Sequence, residues 1–121
     1  MSYENIWEDD GVYRKYNDFI TGPELLQAIE DVHGHAKFDS ISYVINDLLD
    51  VTEHGVTDYD LKRIAAIDSV AARSNPGIKI AVVSTMADIR DMALTYGELV
   101  KDTTYICEIF SSMDEAREWV A

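Results

Sequence analysis

The apolar positions of this chain change period as it proceeds, and the changes predict its elements. Ile6-Trp7 and the run Val12-Tyr13-Arg14-Lys15-Tyr16 are rich in β-formers and flank Asp9-Asp10-Gly11. An Asp-Gly step between two such runs predicts a hairpin, with the second strand running on to Ile20. Thr21-Gly22-Pro23-Glu24 then has the spacing of a capping box, and Leu25, Ile29 and Val32 follow at helical intervals. Gly34 is the expected end of that helix, in a left-handed conformation. Residues 41–45 predict a strand that Asn46-Asp47 stops, and residues 48–56 a loop. Thr57 and Asp60 repeat the capping spacing ahead of a second helix with a stripe of Leu61, Ile64, Ile67 and Ala71, closed by Asn75-Pro76-Gly77.

Residues 78–83 are apolar apart from Lys79, so both faces of that strand need cover, as at the centre of a parallel sheet. Thr85 and Asp88 give a third capping pair, before a helix carrying Met86, Ile89, Ala93 and Tyr96 and ending near Gly97. A last strand covers 105–110, placed nearer an edge because Glu108 interrupts it. Ser112 and Glu115 cap a short final helix lined by Met113, Ala116 and Val120. The order β-β-α-β-α-β-α-β-α predicts one α/β domain over residues 1–121. It has a mostly parallel five-stranded sheet, opened by an antiparallel N-terminal hairpin, and about four helices.

Charge narrows the function classes. Asp and Glu number 23 against 10 Lys and Arg, a net charge of −13. Such a surface repels nucleic-acid backbones and anionic membranes, and suits solubility or a basic protein partner. Cys107 is the only cysteine, which excludes a disulfide framework and fits a reducing compartment. The acidic N-terminus does not read as a signal peptide, and no apolar run approaches the roughly 20 residues of a membrane helix. The expected location is the cytoplasm.

Candidate chemistry is sparse. Glycine-rich nucleotide loops and the G-x-S-x-G nucleophile turn are both absent from the sequence. Cys107 reads as a small buried hydrophobe. His33-Gly34-His35 falls at a helix end, where histidine suits the negative pole of the dipole, and no third ligand has zinc spacing near it. Residues 50–61 lack the ligands of a calcium loop at the third, fifth and twelfth positions. A phospho-receiver pocket is imitated by Glu8-Asp9-Asp10, Asp47 and Ser84 or Thr85. The expected hairpin, however, sends the first acids toward the wrong end of the sheet, and Phe110-Ser111-Ser112 lacks the neutralising lysine. No metal and no cofactor is expected.

Taken together, several segments resemble a known family: Gly11-Val12-Tyr13-Arg14, Thr21-Gly22-Pro23-Glu24-Leu25-Leu26, Tyr43-Val44-Ile45-Asn46-Asp47, residues 75–83 (NPGIKIAVV) and residues 110–119 (FSSMDEAREW). They are similar to the small bacterial SpoIIAA-like proteins, which share the STAS fold of anti-sigma-factor antagonists. The resemblance spans nearly the whole chain and implies a helix-flanked sheet. It further implies a regulatory binding module, or a ligand-binding domain akin to the lipid-binding CRAL-TRIO type. Phospho-regulated antagonists carry a D-S-[ST]-G motif where this chain reads Asp50-Val51-Thr52-Glu53-His54-Gly55-Val56-Thr57-Asp58, so the switch serine is not carried over and no phosphorylation site is assigned.

Three functions are expected in descending order. The first is a non-enzymatic regulatory or protein-binding module using loop 47–57, with Asp47, Asp50 and Thr57, and the helix start after it. The second binds a small apolar molecule or lipid in a crevice beyond the carboxyl ends of the strands, where Asp47, Leu48, Ser84, Thr85 and Met86 converge. The third, a small enzyme with Asp47 as general base, or a phospho-switch, is remote. Trp7, Tyr13, Tyr16 and Trp119 near the chain ends suggest a homodimer.

Overall fold

The computed structural model describes residues 2–121. Strands β1 (Tyr3–Trp7) and β2 (Gly11–Thr21) form the antiparallel hairpin, with Trp7 opposite Val12 and Tyr3 opposite Tyr16. Helix α1 (Gly22–His33) leads to a 3-10 turn at Phe38–Ser40 and then to β3 (Tyr43–Gly55). Helix α2 (Asp58–Ser74), β4 (Lys79–Val83), α3 (Ala87–Val100), β5 (Ile106–Phe110) and α4 (Met113–Val120) complete the chain. The sheet order is β1-β2-β3-β4-β5, parallel from β2 onward, with β5 at an edge.

Because every strand lies beside its predecessor, the crossovers place α1, α2 and α3 on one face of the sheet. Their buried residues, among them Ile29, Val32, Ile64, Ile89 and Tyr96, share one core with Val12, Val44, Leu48, Ile80 and Val82. The opposite face is covered by α4, whose Ala116 packs on Ile45, Ala81 and Val83 with Trp119 and Phe110 beside it. β4 therefore has helices above and below, as its apolar run requires.

Several local expectations change. Asn46-Asp47 does not stop β3, which runs on for 13 residues through the segment expected to be a loop. Both turn-formers find tertiary partners instead. The Asn46 amide donates to the Ala81 carbonyl at 3.3 Å, and the Asp47 carboxylate accepts from Tyr13 at 2.6 Å. The long β2–β3 pairing slips twice, at Lys15/Asn17 and Asp18/Phe19, with β3 carrying the extra residue each time. Asp18 takes a left-handed φ of 60° there, a region that Asp tolerates better than most residues. Gly34 ends α1 with a right-handed φ of −82°.

The third capping pair is also not formed. Ser84 Oγ accepts the Met86 amide at 3.1 Å, and α3 starts at Ala87 without a side-chain cap. That helix passes through Gly97 to Val100. Thr21, Thr57 and Ser112 do cap α1, α2 and α4, and Thr57 forms the reciprocal box with Asp60. The buried stripe of α2 is Leu61, Ile64, Ala65, Asp68 and Ala72, so a carboxylate takes a place that the pattern reading gave to Ile67 and Ala71.

Candidate functional site

Along β2, the inward positions are Val12, Arg14 and Tyr16, and the middle one carries a guanidinium into the core. Arg14 is only 3% exposed. Its Nε donates to Asn5 Oδ1 at 2.7 Å, Nη1 to Asn46 Oδ1 at 2.9 Å and to the Tyr16 hydroxyl at 3.4 Å, and Nη2 to the Ala28 carbonyl at 3.3 Å. All four acceptors are uncharged. Among the described residues Arg14 forms no ion pair. Buried arginines are ordinarily paired with a carboxylate.

Across the core, α2 supplies Asp68, which accepts from the Tyr96 hydroxyl of α3 and lies 3.2 Å from His33 Nε2 at the end of α1. Tyr105, just before β5, is 5% exposed, and its hydroxyl is buried without a hydrogen-bond partner among the described residues. Burial pushes the Tyr96 and Tyr105 hydroxyls up, with the Asp68 charge adding to the effect, so both stay protonated at neutral pH.

These groups line one cavity of about 90 Å³ between the sheet and α1–α3, whose remaining walls are aliphatic, from Ile29, Val44, Ile64, Ile80 and Val82 among others. An open groove of about 720 Å³ runs outside it between the end of α1 and α2. His33 and Phe38 line both spaces, with ring centroids 5.0 Å apart.

The residues singled out from the sequence do not form one site. Asp47 and Leu48 point to opposite faces of β3: Leu48 enters the main core, while Asp47 lies with Tyr13 and Lys15. Lys15 does bring Asp47 and Asp50 together, at 3.3 and 2.7 Å. Thr57 is exposed as a helix cap, Ser84 is buried at the end of β4, and Thr85 and Met86 are exposed. A strand order without reversal has no switch point, so the crevice expected to gather them is not built into this sheet. The acids of an imagined phospho-receiver are likewise apart, because Glu8 binds Tyr43 at the start of β3 and Ser84 follows the end of β4.

Cys107 is half-buried beside the main core, and burial pushes its thiol up to about 12, which keeps it protonated and a poor nucleophile. His35 stacks on Trp7 at 4.1 Å. Among the described residues no three His, Cys, Asp or Glu side chains are grouped to hold a metal ion, and no helix is long and apolar enough to cross a membrane.

The sequence reading missed Arg14, Asn46, Asp68 and Tyr105. The signal was present: Arg14 and Asn46 each interrupt an alternating apolar row, and Asp68 stands in the stripe of α2.

On the other face, Glu8 ties α4 to the hairpin. Arg117 donates to its two oxygens at 2.6 and 2.7 Å, and Tyr43 donates at 2.6 Å. The Arg117 hydrogen bonds hold the Glu8 carboxyl below its ordinary value, against the opposing effect of burial. A carboxyl depressed in the folded state stabilises fully above the unfolded glutamate pKa near ~4.3 and loses that contribution as pH falls through the lower folded value. The expected result is an acid-induced loosening of α4, read from the Trp119 indole resonance, that begins at higher pH in wild type than global acid unfolding. In Glu8→Gln the resonance no longer titrates. Identical acid profiles for the two proteins would show that Glu8 does not anchor the helix.

Comparison with solved structures places the fold. The crystal structure of an uncharacterized protein of the DUF3478 family from Shewanella loihica PV-4, described as having a SpoIIAA-like fold, superposes with a TM-score of 0.61. The match covers 98% of this chain and 92% of that one at 10% identity. This chain thus has the SpoIIAA-like fold that the sequence segments resemble. No family model and no curated protein matches it.

Proposed function

We propose that the protein is a non-enzymatic binding module of the cytoplasm that holds a small molecule between its sheet and helices α1–α3. One observation carries the reading: a cavity of about 90 Å³ in an otherwise packed core is lined by Arg14, a buried cation with no ion pair among the described residues, and by Tyr105, whose buried hydroxyl has no hydrogen-bond partner among them. Native cores leave few polar groups unsatisfied or cations unpaired, and finding one of each beside a single void supports a site built for an occupant. An empty cavity of this kind is ordinarily apolar throughout.

The volume refines the ligand. A water takes about 30 Å³, and an engineered 150 Å³ cavity holds benzene. About 90 Å³ therefore suits a compact molecule rather than the acyl chain of a lipid. The outer groove is the natural approach to it, because His33 and Phe38 border both spaces. The partner-protein reading stands second, because the acidic surface is its main support and mainly favours solubility.

The test is an amide chemical-shift titration of the full chain with a panel of small polar molecules. Shifts are expected at Arg14, Asn46, Asp68 and Tyr105, with a single saturable constant for at least one compound. Shifts confined to exposed loops across the whole panel would overturn the reading.

A further inference from the structure

Resting on that reading, we infer that the ligand is a small monocarboxylate with a short apolar body, seated with its carboxylate on Arg14. The four groups that Arg14 touches satisfy most of its hydrogen bonds but none of its charge. A desolvated cation without a counter-ion is unfavourable, and a carboxylate is the anion that its planar fork matches. One N–H of Arg14 remains uncommitted, because five donors meet four acceptors. Among the described residues the Tyr16 hydroxyl accepts from Arg14 and has no acceptor for its own proton, and the Tyr105 hydroxyl has no partner. The cavity is thus richer in free donors than in free acceptors, which selects a ligand with acceptor oxygens.

The charges on the cavity walls limit the ligand's charge. Asp68 also borders the cavity, but Tyr96 and His33 already occupy it, which leaves little for an amine to bind. Arg14 has no carboxylate within ion-pair distance among the described residues, while Asp68 on the same cavity repels further negative charge, so a monoanion suits the site better than a phosphate dianion. The aliphatic walls and the volume then call for roughly three to five heavy atoms.

Propionate, propionamide and 1-propanol are nearly the same shape and separate these ideas. Each is titrated at constant ionic strength into the full chain, with sodium chloride as the control, and the amides of Arg14, Asn46 and Tyr105 are followed. Propionate is expected to bind at least tenfold more tightly than the other two, and Arg14→Gln to remove the preference. Tyr16→Phe, which leaves Arg14 in place and removes the hydroxyl beside it, is expected to weaken propionate severalfold. Equal binding of all three would overturn the carboxylate assignment while leaving the cavity as a neutral-ligand site. Failure of all three, together with the wider panel, would overturn both. Propionate shifts that chloride reproduces would mark surface ion effects and overturn the assignment, as would tighter binding of octanoate. The wild-type comparison decides the matter even if Arg14→Gln fails to fold.

Discussion

Replacing Ile64 with alanine is expected to destabilise the fold by about 3 kcal/mol, within the 2–5 kcal/mol typical of buried Ile→Ala changes, and to change what the cavity admits. Ile64 is 2% exposed and reaches from α2 into the cavity wall. Its truncation forfeits the transfer of its methyl groups out of water and leaves a larger void, because the sheet opposite is rigid and strand-paired. The estimate sits below the top of the range because Ile64 already faces a void on one side. The measurement is a urea unfolding midpoint at unchanged slope. The enlarged space approaches the size that takes benzene. Benzene is accordingly expected to raise the midpoint of the variant and not of wild type. A loss below about 1 kcal/mol, well under the usual range, or equal benzene effects on both proteins, would mean that Ile64 does not bound the cavity.

Asp68→Ala is expected to cost about 3 kcal/mol, because it strands the buried Tyr96 hydroxyl and removes the partner of His33. Asp68→Asn keeps an acceptor for Tyr96 and a polar partner beside His33, so its cost is expected to be about 1 kcal/mol. The contrast matters more than either value. Equal costs for the two variants would show that the charge, and not the hydrogen-bonding pattern, holds α1, α2 and α3 together. Both are read by the same unfolding experiment, with the Tyr96 ring resonances reporting whether α3 stays docked.

The element types were readable because period and punctuation agree. The Asp9-Asp10-Gly11 turn, the Thr21, Thr57 and Ser112 caps and the apolar run of β4 are each decided by neighbours within a few residues. The length of β3 was not readable, because Asn46 and Asp47 are strand-breakers until Arg14, Tyr13 and Ala81 supply their hydrogen bonds from other elements. The same holds for the cap of α3, where Ser84, already buried, takes the turn that Thr85 was expected to close.

The site was missed for a related reason. Polar residues within apolar rows read as imperfections of pattern, and open α/β folds with a reversed strand order place their ligands in loops after strands. A sheet laid down in order puts its helices together on one side, and the polar groups that matter face inward beneath them.

The unequal cover of the two faces has a consequence for biosynthesis. Each strand pairs with the one made before it, so the ribosome can deliver a sheet that grows from one side as it emerges, roofed by three helices in turn. The underside, with Ile45, Ala81 and Val83, stays bare until α4 arrives last. α4 is therefore the clasp of this sheet, and a chain cut before residue 113 would present its bare underside to the cell's chaperones.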